Sequence, residues 1–239
     1  MEEPKVIYEE KEFALINKPA GLIVHGVSPS LRDWLLKKYP EIARVGDNPE
    51  ERPGIVHRLD KDTSGVILIC RRQAAFDYFK KQFQERKIKK SYLALVHGIP
   101  KERSGEIKKP IGLKPDTTRR TVHTKDAKMV KPAFTRYHLK SIYRGETPID
   151  EFALLEVEPL TGRTHQIRVH LASIGHSVVG DPLYTPKSKE VGLPYIGRMF
   201  LHAESLEFST PDGRRLKVAA DLPAELITVL AKLSPAPAD

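Results

Sequence analysis

Cysteine is nearly missing from this chain. Cys70 is the only one in 239 residues, which excludes an internal disulfide framework and a multi-cysteine zinc or iron–sulfur site. No run of about 18 apolar residues is present, so no membrane-spanning helix is expected. The acidic start MEEPKVIYEE lacks the basic and then apolar order of a signal peptide, and a cytoplasmic location is the expectation that follows. Three loops are missing as well. Without G-x-x-x-x-G-K-[ST] or G-x-G-x-x-G, nucleotide-dependent phosphoryl transfer and dinucleotide redox chemistry are disfavoured. Ser64 lacks the glycine two places earlier that a G-x-S-x-G elbow requires.

What is present is positive charge, unevenly spread. The chain carries 40 Lys+Arg against 31 Asp+Glu, a net +9. With 40% apolar and 30% charged residues it is neither disordered nor membrane-like in composition. Residues 80–140 hold 18 Lys+Arg and five acids, so this segment has a surplus of 13 while the rest of the chain is net −4. A concentrated surplus is what phosphate attraction needs, and it points to nucleic acid. A membrane surface is the weaker reading, because the segment shows no basic amphipathic helix with a Trp/Phe/Leu-rich opposite face.

Periodicity predicts strands at 6–10 and 13–18, and then a helix Leu31–Tyr39 capped by Ser28 or Ser30 and ended by Pro40. GVILICR (65–71) reads as a buried strand. In 73–86, Phe76, Phe79 and Phe83 recur at i, i+3, i+7, an amphipathic helix with its lysines outward. Strands are expected at 91–98, 133–143, 151–160 and 200–208, with short strands and loops over 101–130. A helix over 164–175 would use Thr164 as N-cap, and Ile167, Leu171 and Ile174 as its apolar stripe. A last helix spans 223–233, and 234–239 is expected to fray. No repeat or long linker interrupts the chain. The expectation is one α+β body over 1–233 with a mixed, largely antiparallel sheet flanked by helices and loops, and a central cleft.

Two clusters hold the reactive residue types. His57-Arg58-Leu59-Asp60-Lys61-Asp62-Thr63-Ser64-Gly65 precedes a buried strand, and its local chemistry fits either a site on a rigid scaffold or a tight turn closed by its own Asp side chains. Gly162-Arg163-Thr164-His165-Gln166-Ile167-Arg168-Val169-His170 falls at a helix N-terminus, where free N–H groups suit an anion. His165 and His170 point about 140° apart on a helix, which disfavours a shared metal. Satisfied structural hydrogen bonds are the simpler reading for both. Arg168 lies beside the apolar stripe and needs an anionic partner, for which an Asp of the first cluster is the candidate. Cys70, inside an apolar strand, reads as structural.

The first cluster is very similar to the active-site signature of RluA-type pseudouridine synthases. Asn17-Lys18-Pro19-Ala20-Gly21-Leu22 resembles that family's K-P-x-G motif, and Lys90-Ser91-Tyr92 its K-x-Y strand. The second cluster resembles its third motif, followed by Gly180-Asp181-x-x-Tyr184 and Leu201-His202-Ala203. Six matches in order, spanning 17 to about 208, cover most of the chain. Many members carry an N-terminal RNA-binding S4 domain, whereas this sequence begins almost at the catalytic body. Capture of RNA would then fall to that body and its basic segment.

The resemblance implies isomerisation of uridine in structured rRNA or tRNA, with no cofactor and no metal, by a monomer that needs no membrane or protein partner. It makes Asp60 the catalytic carboxylate, Arg168 its basic partner and Tyr92 the residue stacked on the target base. Arg58 would steady the space left by a flipped base. His57, Thr63, Arg163, His165 and Gln166 are expected beside the substrate, and Lys87, Lys89 and Lys90 on its phosphates. Two other classes remain open to test: a non-catalytic RNA-binding module, and a metallohydrolase using some of the nine histidines.

Overall fold

The computed structural model describes residues 2–115, 117–145, 150–186 and 197–236. In chain order the elements are β1 (Lys5–Glu9), β2 (Phe13–Lys18), α1 (Leu31–Lys38), a 3-10 turn (Pro40–Arg44), β3 (Ser64–Cys70), α2 (Gln73–Gln84), β4 (Lys89–His97), β5 (Ser104–Ile107), β6 (Ile111–Leu113), β7 (Arg120–Thr121), β8 (Lys128–Lys131), β9 (Thr135–Arg144), β10 (Glu151–Pro159), α3 (Gln166–Ser173), β11 (Leu201–Ser209), β12 (Arg215–Ala219), α4 (Ala224–Ala231) and β13 (Ser234–Ala236). The fold is mixed α and β with mostly antiparallel pairing, as the sequence pattern implied.

The chain divides into two compact units, Met1–Lys90 with Ala203–Asp221 and Ser91–His202 with Leu222–Asp239. No change of composition marks these boundaries, two of which fall inside strands.

In the first unit β2 pairs antiparallel with β1 on one side and β3 on the other. Every residue of β3 is buried, which accounts for its unbroken apolar run. The phenylalanine stripe of α2 docks on this sheet. Phe79 meets Phe13 of β2 and Phe208 of β11 edge-on, at centroid distances of 5.2 and 5.4 Å. Ser30 caps α1 in a reciprocal capping box with Asp33.

In the second unit β10 pairs with β4 and β9, and β13 and β5 both pair with β9. The sheet is covered on both faces. Ala153, Leu155 and Val157 of β10 pack in one cluster with Ile167 and Leu171 of α3. The alternate residues Phe152 and Leu154 pack in another with Leu226 and Val229 of α4. A small separate sheet, β7-β6-β8, is formed by the Lys-rich excursion.

Two local expectations are corrected. Thr164 is not the cap of α3. The helix starts at Gln166 after His165, which takes a left-handed conformation (φ 55°), and the Gln166 side chain itself accepts the Arg163 N–H (3.0 Å). Residues 234–236, expected to fray, pair with β9 as β13. Pro235 is tolerated because this is a short edge strand.

Candidate active site

The loop that carries Asp60 is held through its backbone. The Asp60 carbonyl accepts the Thr63 N–H (3.2 Å), closing a turn, and the Lys61 carbonyl accepts the Gly21 N–H (3.0 Å). Lys18, fully buried at the end of β2, donates from Nζ to the same Lys61 carbonyl (3.0 Å) and to the carbonyls of Pro19 and Leu22 (both 2.8 Å). An ammonium has three donors, and these three acceptors use them. The K-P-x-G loop and the H-R-L-D loop are thereby latched together. Gly65 ends the loop with φ +114°, where a Cβ would run into the Ala203 carbonyl. Asp60 is half-buried and Arg58 exposed, so both side chains are presented while the backbone is fixed.

His57 and Thr63 are tied into the protein's own packing. The Leu68 N–H donates to His57 Nε2 (2.9 Å), and the ring packs 4.6 Å from that of Phe83 on α2. Burial, aided by the charge of Lys90, pushes the imidazole down to about 3, so it stays neutral and serves as an acceptor for the sheet. Thr63 is buried in the turn. Arg58 is felt within the loop cluster: after burial, its charge is the next cause that holds the His25 imidazole below its ordinary value.

The second motif belongs to the second unit, and there the side chains are consumed. Gln166 Oε1 accepts from Thr161 Oγ1 (2.7 Å) as well as the Arg163 N–H, and Nε2 donates to the Phe134 carbonyl (2.8 Å) and Thr135 Oγ1 (3.0 Å). Those are all the bonds a carboxamide makes readily, so Gln166 is an internal clamp. His170 is likewise internal, between Thr135 Oγ1 (2.9 Å) and the Lys109 carbonyl (2.8 Å), and its pKa is lowered by burial.

Arg168 is buried and makes a two-pronged ion pair with Asp181, Nε to Oδ2 at 2.7 Å and Nη2 to Oδ1 at 2.9 Å. Asp181 Oδ1 also accepts the Leu183 and Tyr184 N–H groups. The Arg168 guanidinium lies 5.2 Å from the centre of the Tyr184 ring. The carboxylate that anchors Arg168 in its own unit is therefore Asp181, to which the sequence reading gave no charge role. His165 Nδ1 lies 3.0 Å from Tyr184 Oη, which also accepts the Arg120 N–H (2.9 Å). Arg163 donates from Nε to the Pro132 carbonyl (3.1 Å). Tyr92, on β4 opposite Val157, is half-buried and packs against the cluster that contains Ile167.

The three lysines differ. Lys89 is exposed. Lys87 pairs with Glu85 at 2.7 Å on the open surface. Lys90 is partly enclosed, and burial brings its pKa down to about 8. Cys70 is buried, which pushes its thiol up. Among the described residues no group of three or more His, Cys, Asp or Glu side chains is placed to hold a metal ion. Among them, too, no helix is long and apolar enough to cross a membrane.

The loop that carries Asp60 and the helix start that carries Arg168 are the two motifs that resemble those of the pseudouridine synthases. Comparison with known proteins agrees. The family model described as RNA pseudouridylate synthase matches residues 12–173. An uncharacterized RNA pseudouridine synthase of Chloroflexus aurantiacus is 42% identical over 222 residues, covering 91% of this chain and 65% of that protein. The ribosomal large subunit pseudouridine synthase D of Nitrosomonas europaea is 38% identical over 242 residues, covering 95% and 64%. The solved structure of human RNA pseudouridylate synthase domain containing 1 superimposes with a TM-score of 0.78 at 28% identity, covering 98% of this chain and 89% of that one. This chain belongs to the RNA pseudouridine synthase family. It spans a little under two thirds of the length of the Chloroflexus and Nitrosomonas relatives.

Proposed function

We propose that this protein isomerises uridine to pseudouridine in structured RNA, with Asp60 as the essential carboxylate. The reaction breaks the N1–C1′ bond, turns the base and rejoins it through C5, which loses a proton while N1 gains one; nothing is oxidised or consumed. Asp60 acts as nucleophile or base, and for either task it must be ionised and held still. The observation that carries this reading is the latch. A buried lysine and a glycine N–H both grip the carbonyl of the residue after Asp60, which fixes the point from which the carboxylate springs.

Tyr92 stacks on the target base and Arg168 is the basic partner of the site, anchored from behind by Asp181. A base within a helix is out of reach, so the target is flipped out, at a cost of a few kcal/mol, and Arg58 steadies the vacated space. The basic 80–140 segment supplies phosphate contacts. Large-subunit rRNA is the preferred substrate, on the printed name of the Nitrosomonas relative, with tRNA the second reading and the cytoplasm the site of action.

The test is tritium release from RNA labelled at uridine C5. Wild-type protein releases tritium and Asp60→Asn reduces the rate by at least about a hundredfold, the lower end for loss of an acid–base group. Equal release from both would refute the assignment. Binding without release on every RNA tried would favour the non-catalytic module. Activity that tracks stoichiometric metal in the purified protein would favour the metallohydrolase.

A further inference from the structure

The second unit contains a pocket of about 200 Å³ whose lining includes none of Asp60, Tyr92 and Arg168. Its walls come from the small β7-β6-β8 sheet and from the turn at 162–164. Three cations line it, Arg120, Lys131 and Arg163, with the apolar side chains Ile111 and Met129 and, among the described residues, no carboxylate. Like charges gathered without a counter-charge repel one another, and such a grouping is retained at a cost unless an anion offsets it.

Arg120 adds an independent sign. Its Nε is shielded from solvent and has no hydrogen-bond partner among the described residues, although its backbone N–H is fixed on Tyr184 Oη (2.9 Å). Buried donors are rarely left unsatisfied, so the Arg120 guanidinium keeps bonding capacity that the described residues do not use. Arg163 is held by its Nε on the Pro132 carbonyl, so its guanidinium is oriented in advance. Met129 is exposed, with φ 53°, a backbone conformation unusual for a side-chain-bearing residue, and with Ile111 it offers an apolar face.

We infer that this pocket binds one phosphodiester of the substrate RNA, from a nucleotide other than the uridine that reacts, with the attached ribose or base against Ile111 and Met129. The inference rests on the proposed RNA-modifying activity and adds a place where the RNA is gripped. Arg120 and Lys131 become determinants of which RNA is accepted, since a fixed second grip sets the register of the chain.

The experiment uses the full chain and in vitro transcribed bacterial large-subunit rRNA. Filter binding over a salt series gives the slope of log K against log salt, and tritium release gives kcat and KM. Arg120→Gln and Lys131→Gln are each expected to weaken binding several-fold and to flatten the slope by about 0.7–0.9, the change for one lost phosphate contact. KM rises, and kcat stays within about twofold. Lys38→Gln, an exposed lysine on α1, leaves binding unchanged. Lys131 is exposed, so its substitution leaves folding intact and keeps the test decisive. Unaltered slopes for both pocket variants would overturn the inference, whereas a wild type that binds steeply and releases no tritium would overturn the proposed function and leave the slope test of the pocket standing.

Discussion

The two motifs richest in reactive residues are built in opposite ways. In the loop 57–65 the backbone is gripped, by Lys18 and by the Gly21 N–H, while Asp60 and Arg58 are left partly or wholly open. At the start of α3 the side chains do the gripping: Gln166, Arg168 and His170 are all buried and all bonded internally. The contrast teaches that a run of His, Arg, Gln and Asp is ambiguous in sequence, because the same groups serve to present chemistry or to hold a scaffold. Burial separates the two.

The contrast can be broken at its strongest point first. Arg168→Ala leaves Asp181 buried and unpaired, and should cost about 3–5 kcal/mol in urea denaturation. Arg168→Met combined with Asp181→Leu, which removes both charges, should recover most of that stability and none of the tritium release. If Arg168→Ala is as stable as wild type, the ion pair is not part of the scaffold. Asp60→Asn, in the presenting loop, should stay within about 0.5 kcal/mol of wild type.

Lys18→Met sharpens the other side. Three carbonyls lose their donor, and stability should fall by about 1–3 kcal/mol. At saturating RNA, kcat should fall more than binding, because the residue acts on Asp60 through the backbone of Lys61. Loss of binding with unchanged kcat would show that the latch does not position the carboxylate.

A further effect is confined to acid. Folded His57 sits near 3 against an ordinary 6.5, so between those values the unfolded chain binds the extra proton. Stability contributed by neutral His57 is present above about pH 6.5 and is lost as pH falls towards 3. His57→Gln should flatten the pH dependence of denaturation across that window; an unchanged slope would mean that the ring protonates freely in the folded protein.

Much of the fold was legible because periodicity is a local signal. The Phe76, Phe79, Phe83 stripe became α2, and the unbroken run 65–70 lies inside the fully buried β3. The start of α3 was misread because no side chain caps it: left-handed His165 precedes the first turn, and the Gln166 side chain holds the Arg163 N–H ahead of the helix. β13 was missed because Ser-Pro-Ala has no strand pattern of its own and is ordered by the edge of β9. In the site, Lys18 and Asp181 stood in recognised motifs, but the Lys61 carbonyl and the Arg168 guanidinium that they bind lie 43 and 13 residues away, and no local pattern reports a contact over such distances. The roles expected of Asp60 and Tyr92 came only through resemblance, whereas Arg168 also stood out as a helix arginine in need of an anion; burial and bonding then separated the residues that present from those that hold.

The central claim is that this protein makes pseudouridine and does so through Asp60. The direct measurement is pseudouridine mapping of total RNA from a deletion strain of the source organism, complemented with wild type or with Asp60→Asn. The account predicts that at least one pseudouridine in large-subunit rRNA or tRNA disappears on deletion, returns with wild type and stays absent with Asp60→Asn. A map unchanged by deletion, or restored equally by both proteins, would contradict it.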